Sequence, residues 1–188
     1  RYNMRETILK YCPNGKIFSI RTHKKGPIHA ILEIEKHINL NIKTIVNYCD
    51  FTCYWNWNHF KKKITDSSID GAIPAYKGFH PHSLSATNYA YIKEKKMELL
   101  DIQEKQPFTK NKLNEYASSG TYYFRNGKIM IDAFRDVIKN NMNINGEYYV
   151  SLSYITNTFK SLKTIIYPIE YFMQWGTPED LKEYKEWH

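Results

Sequence analysis

Apolar positions along the chain switch between helical and strand spacing, with Gly and Pro at most of the switches. Met4, Ile8 and Tyr11 recur at helical spacing and stop at Pro13-Asn14-Gly15, a turn signal. Lys16 to Ile20 is short and apolar and suits a strand. Gly26-Pro27 then opens a helix, since proline is favoured at the first helical position, and Ile28, Ile31, Leu32 and Ile38 give it an apolar face. The β-branched run Thr44 to Cys49 follows as a strand and ends at Asp50. Strand, helix and strand over about thirty residues predict a βαβ unit with a parallel, right-handed crossover. Asp50 then falls at the carboxyl end of a parallel strand, the end that faces the ligand crevice in open α/β sheets.

Further on, Trp55 to Lys63 reads as a helix, and Asp70 to Tyr76 and Met97 to Glu104 as strands separated by a Gly- and His-containing loop. Gly120 to Phe124 reads as a strand, Lys128 to Asn140 and Tyr148 to Phe159 as helices, and Thr164 to Ile169 as a strand. Thr177-Pro178-Glu179-Asp180 starts a last helix well, with Thr177 as N-cap, Pro178 at the first position and acids in the first turn. The pattern is α/β. There is no repeat or linker, so residues 1–188 make one domain.

Composition narrows the partners more than the fold. A hydrophobic fraction of 42% is enough for a core, yet no apolar run approaches the ~18 residues of a membrane span, so no membrane partner is expected. Cys12, Cys49 and Cys53 are an odd number without framework spacing, which points to a reducing, cytoplasmic setting. Cys49 and Cys53 would stand roughly 13 Å apart in an extended strand, too far to share a zinc ion with His80 and His82. A net charge of +8 favours anionic partners: nucleotides, sugar phosphates or nucleic acid. The basic runs Lys24-Lys25, Lys61-Lys62-Lys63 and Lys95-Lys96 are dispersed, whereas a nucleic-acid surface would cluster them with aromatics. Nucleic acid is therefore the weaker expectation, as the non-enzymatic alternative.

Five blocks carry candidate chemistry. They are Asn47-Tyr48-Cys49-Asp50-Phe51, Gln103-Glu104-Lys105-Gln106-Pro107, Ser118-Ser119-Gly120-Thr121-Tyr122-Tyr123-Phe124, Gly146-Glu147-Tyr148-Tyr149 and Gln174-Trp175-Gly176-Thr177-Pro178. In order and spacing the chain resembles the sugar-nucleotide pyrophosphorylase (sugar-1-phosphate nucleotidyltransferase) family over most of Gly26 to Trp187. The resemblance implies a Rossmann-like, GT-A-like mixed sheet flanked by helices. It also implies an enzyme that joins a nucleoside triphosphate to a phosphorylated small molecule, in the first place a sugar 1-phosphate, and releases pyrophosphate.

Such a reaction needs no side-chain nucleophile, because a phosphomonoester is already anionic near neutral pH. It needs positioning and neutralisation of crowded charge. Mg²⁺ favours one or two carboxylates plus phosphates, and Asp50 suits that role. By resemblance Asp50 and Lys105 are catalytic, with Lys105 meeting the acceptor phosphate. Glu104, Ser119, Gly120 and Glu147 are acceptor-binding, and Gly26, His29 and Asp50 nucleotide-binding. His29 stands where relatives usually have Gln. Gln174 occupies the place of a second metal carboxylate and could offer only a neutral oxygen. The Gly78-Phe79-His80-Pro81-His82 loop suits an acceptor-pocket wall or plain solvent loop equally.

Nothing in Arg1 to Lys25 resembles the family's Gly-rich triphosphate loop. The expectation is a C-terminal larger part, with the strand, loop and helix that begin such a domain absent. Such a piece would lack turnover alone and expose a sheet edge open to self-association. A nucleotide-sugar-dependent glycosyltransferase is the nearest enzymatic alternative, but Asp50 is followed by Phe51-Thr52 rather than by a second close Asp. A cytidylyltransferase acting on a non-sugar phosphate is a further one.

Overall fold

A computed structural model describes residues 4–80 and 88–186. Helix α1 spans Met4–Tyr11 and α2 Gly26–Leu32, followed by strands β1 (Thr44–Asn47) and β2 (Phe51–Tyr54) and helix α3 (Trp57–Lys63). Strands β3 (Gly71–Tyr76), β4 (Ala90–Lys95), β5 (Glu98–Glu104), β6 (Tyr116–Ser118) and β7 (Thr121–Phe124) precede helix α4 (Gly127–Lys139). Strands β8 (Thr164–Pro168) and β9 (Tyr171–Gln174) and helix α5 (Pro178–Glu186) complete the described elements.

Central strand β3 is buried along its whole length. Its residues alternate between two cores, as the strand period of two requires. Ile73 and Ala75 pack with Ile92, Phe124 and α4's Met130, Phe134 and Val137. Ala72 and Tyr76 face the other way, with Tyr91, Tyr123 and Phe60 of α3. Helices therefore cover both faces of a mixed sheet, the expected α/β class.

Three expectations change. Lys16 to Ile20 forms no strand; Phe18 instead stacks on the His37 ring at 4.4 Å, and no described strand lies alongside to pair with it. Strand β1 is antiparallel to its neighbour β7, and the parallel pair is β3 with β8, so no βαβ crossover leads into Asp50. Residues Tyr148 to Phe159 hold only a 3₁₀ segment, Val150–Ile155. There Ser153 and Thr156 hydroxyls bond the Val150 and Ser153 carbonyls, each at 2.7 Å. Such local side-chain bonds compete with a regular α-helix.

The topology contains one break that matters for function. The segment from Tyr116 to Phe124 runs antiparallel to β3, with Ser118 opposite Ala75 and Tyr123 opposite Ala72. It is interrupted at Ser119-Gly120. Before the break, β6 pairs with β4; after it, β7 pairs with β1. The sheet thus forks, with β1 on one prong and β4 on the other.

Helix α4 is the main cover of one core, and Phe134 is fully buried there. Phe134→Ala should lower the unfolding free energy by about 3–5 kcal/mol, read from urea titration; a loss under about 1 kcal/mol, the range of a surface substitution, would remove α4 from the core.

Candidate active site

The fork opens a cavity of about 390 Å³. Its walls are the chain leaving β1 (Tyr48, Asp50, Phe51), the chain entering β4 (Asn88, Tyr89, Ala90), the break at Ser118-Ser119-Gly120, and the end of β5 at Glu104-Lys105. Gly176, Thr177 and Asp180, at the start of α5, close one side. A cleft where neighbouring strands diverge is where α/β sheets usually take ligands.

Gly120 is required by its surroundings. Its φ is +90°, and a Cβ would lie 3.1 Å from both the Tyr48 and the Phe51 ring. Its carbonyl accepts the Tyr48 amide at 3.1 Å. Ser119, expected to offer a hydroxyl to a ligand, donates it to the Pro74 carbonyl at 3.0 Å. Ser118 accepts the Gly120 amide at 3.1 Å. The two serines hold the break in shape, while the missing Gly120 side chain lets the Tyr48 and Phe51 rings pack against its backbone.

Glu104 ends β5 and is 8% exposed. Burial raises its pKa above the usual carboxylate value, against the opposing effects of the Ser151 hydroxyl, 2.5 Å away, and of Lys105. Lys105 follows with φ +59°, its amide on the Tyr89 carbonyl at 2.9 Å. This left-handed step, unusual for lysine, turns its side chain away from the strand direction. The ammonium meets the Tyr149 hydroxyl at 2.5 Å and sits 4.5 Å from the centre of that ring. Tyr149 in turn donates to Glu147, whose carboxylate is 4.0 Å from Lys105. Glu147, expected beside the acceptor, is thus placed behind Lys105 and is not in the cavity wall.

Asp50 lies in the bend between β1 and β2, its carbonyl holding the Trp175 amide at 2.9 Å. One carboxylate oxygen comes within 2.8 Å of where a Gly176 Cβ would be, so Gly176 leaves room for that carboxylate. Gln174, read as a substitute metal ligand, is buried outside the cavity wall and gives its amide nitrogen to Asp180 Oδ1 at 2.9 Å. Asp180 also accepts the Thr177 amide at 3.1 Å, while its own amide bonds the Thr177 hydroxyl, a reciprocal cap of α5. Asp180 is the cavity residue the sequence reading missed, since a first-turn acid is fully explained by capping. Six aromatic residues of the wall (Tyr48, Phe51, Tyr89, Tyr122, Tyr149 and Phe172) also carried no individual assignment, since a Tyr or Phe suits core and pocket wall alike. Burial chiefly, then the nearby Asp180 and Asp50 charges, pushes the Tyr89 hydroxyl pKa up, so it stays neutral.

Gly26 and His29 are placed outside this cavity. Gly26 (φ +79°) packs on Tyr148, where a Cβ would meet backbone at 2.8 Å, so the start of α2 is held beside Glu147 and Tyr149. The Ile28 amide there is taken by the Tyr148 carbonyl at 3.1 Å. His29 packs against His23 with ring centres 4.7 Å apart, and burial, with Lys25 and His23, lowers its pKa. His80 bonds the Phe172 carbonyl at 3.0 Å, whereas Pro81 and His82 of the same loop lie outside the described residues. All three cysteines are free thiols.

The fold is similar to that of sugar-nucleotide pyrophosphorylases of known structure. The structure is similar to the nucleoside-diphosphate-sugar pyrophosphorylase from Vibrio cholerae RC9, with a TM-score of 0.73 and 15% identity, covering 98% of this chain and 77% of that one. A UDP-glucose pyrophosphorylase complexed with UDP-glucose superposes with a TM-score of 0.68 at 19% identity, over 99% and 74%. A Bacillus anthracis protein described as a glucose-1-phosphate thymidylyltransferase, in complex with a sucrose, gives 0.65 at 13%, over 97% and 71%. No protein-family model matches the chain, and no curated protein matches it in sequence. The likeness is one of fold.

Because burial raises the Glu104 pKa, the folded state favours its neutral form, and ionisation at neutral pH costs stability. Glu104→Gln should therefore raise the thermal midpoint by a few °C at pH 7–8, on the scale of about 1.4 kcal/mol per pKa unit. That gain should fade below about pH 4, where both side chains are neutral. A pH-independent difference in melting temperature would show that Glu104 ionises freely.

Proposed function

We propose that this protein is a nucleotidyltransferase that joins a nucleoside triphosphate to a phosphorylated small molecule, with a sugar 1-phosphate as the first candidate. The supporting observation is convergence. Asp50, Glu104, Lys105 and Gly120, from three separate sequence blocks, line one cavity at the fork of a sheet of this fold.

In this reading an acceptor phosphate oxygen attacks the α-phosphorus; that oxygen–phosphorus bond forms as the bond to the β-phosphate bridge breaks and pyrophosphate leaves. Lys105 binds the acceptor phosphate as a point charge. Tyr149 and Glu147 hold its ammonium in one direction, which reduces the entropy lost on binding. Glu104 accepts a hydrogen bond from an acceptor hydroxyl or amine, and the Ser151 hydroxyl keeps its carboxylate oriented. Gly120 keeps the break open by letting Tyr48 and Phe51 pack on it, and the aromatic walls exclude water from the phosphates. The start of α2, at Gly26 and His29, would flank the nucleotide from beside Glu147-Tyr149.

The donor set fits Mg²⁺. Asp50 and Asp180 line the same cavity, and no ion pair occupies either carboxylate among the described residues. Asp180 already accepts hydrogen bonds at both oxygens, from Gln174 and Thr177, so Asp50 is the more open carboxylate, and one carboxylate with phosphate oxygens matches the ion's preference. When bound, it would supply positive charge to the phosphates. Gln174 then acts through Asp180, orienting it by its amide nitrogen.

Two measurements test the reading. Glucose 1-phosphate should bind the 188-residue chain saturably in calorimetry, and Lys105→Ala should weaken that binding about tenfold or more, as for a lost charged hydrogen bond. Indifference of binding to Lys105 would remove it from the acceptor site. Pyrophosphate release from a panel of triphosphates and acceptors should fall on the order of 10²–10³ in Asp50→Ala, the scale of one electrostatic stabiliser. Full turnover in that variant would sink the role given to Asp50.

A further inference from the structure

A second concavity, of about 840 Å³, lies between α3, the β4–β5 turn and β8, and shares no residue with the cavity at the fork. Its rim brings together Lys62 and Lys63 from the end of α3, Lys96 from the hairpin turn and Lys163 from the start of β8. These lysines are far apart in sequence, which is why the chain reads as dispersed charge. In space they form one basic rim.

Convergence of like charges is unfavourable unless something offsets it. Acids on the rim do so only in part. Glu98 is taken by Lys163 at 2.9 Å, and Asp66 accepts the Ser68 amide at 2.8 Å. Lys62, Lys63 and Lys96 are left without an ion-pair partner among the described residues. Lys43, on the Ile64 carbonyl at 3.1 Å, adds charge nearby. The end of a helix attracts lysines through its dipole, which accounts for Lys62 and Lys63 but not for Lys96.

Lys96 carries a separate signal. Lys95 pairs with Glu98, so Lys96 and Met97 form a two-residue hairpin turn, and both have positive φ, 52° and 65°. That turn ordinarily uses Asn-Gly, and a lysine there is strained. The strain is fixed in place because the Met97 carbonyl accepts the Ile166 amide at 2.8 Å. Backbone strain held by tertiary bonds is a recurrent mark of ligand sites. Below the rim the floor is apolar and aromatic, with Ile165, Tyr116 and Tyr167.

We propose that this groove binds a small molecule bearing a di- or triphosphate chain, with the phosphates on Lys62, Lys63 and Lys96 and any ring of the ligand on the apolar floor. A chain of three to four negative charges matches three unpaired ammonium groups, and a concavity favours a small ligand over a membrane plane. The site is independent of the transfer reaction and stands whether or not that reading holds.

The test is a titration of the ¹⁵N-labelled 188-residue chain with inorganic triphosphate, without divalent metal and at about 0.15 M salt, where exposed charges are largely screened. Amide signals of Lys62, Lys63, Lys96 and Met97 should shift saturably. Lys96→Ala should weaken this response about tenfold, the cost of one charged hydrogen bond. Lys63→Ala should do the same without touching the strained turn, which separates charge loss from turn repair. Shifts confined to Lys105 and Gly120, shifts that never saturate, or affinity unchanged in both variants would each overturn the proposal. A nucleoside triphosphate added in a second arm should bind more tightly than inorganic triphosphate if the floor takes a ring, and equally if only the chain is read. Tighter binding of a mixed-sequence oligonucleotide than of either would overturn the small-molecule assignment.

Discussion

At Gly120 the backbone passes so near the rings of Tyr48 and Phe51 that a single added carbon would sit 3.1 Å from each. That approach lets the Gly120 carbonyl take the Tyr48 amide, which brings the end of β1 against the break between β6 and β7. With the break closed, β6 and β7 would continue as one strand and the sheet would have no fork. Asp50 would then not face Glu104 and Lys105. The cavity therefore depends on one residue without a side chain, held on its other flank by the two serines before it.

Around that break the charges are organised by what holds them. Lys105 is gripped from behind by Tyr149 and Glu147 and presents its ammonium in one direction. Glu104 is buried and kept by Ser151. Among the described residues Asp50 and Asp180 have no ion-pair partner, although Asp180 is fixed by the cap of α5 and by Gln174. In the function proposed above, phosphates and a divalent ion would complete this arrangement of one cation and two carboxylates.

The β4–β5 end of the sheet shows the opposite balance, with an excess of lysine over acid around a concave floor. The two sites differ in what builds them. Gly120, Ser118 and Ser119 shape the first through buried hydrogen bonds. The second is assembled from exposed side chains of elements whose packing is set by the apolar groups beneath: Phe60 of α3, Ile64 just after it, and Tyr167 of β8.

Local pattern was enough to place α3, α4, α5, β3, β5, β7 and β8 within a few residues, because each has a clear period or cap. Asp50, Glu104, Lys105 and Gly120, singled out by type and order, do share one cavity. The antiparallel partner of β1 was not, because a β-branched run carries no information about which strand it meets. Short β6 and β9 were lost among turn residues, and Lys16 to Ile20 read as a strand although pairing, not propensity, makes one. Asp180 was hidden by a sufficient local role as a cap, and Gln174 was judged by its place in a motif rather than by what it touches. Which charges share a cavity, and which lysines share a rim, are distances between segments far apart in the chain. Only the folded sheet, by forking at Gly120 and turning at Lys96, decides them.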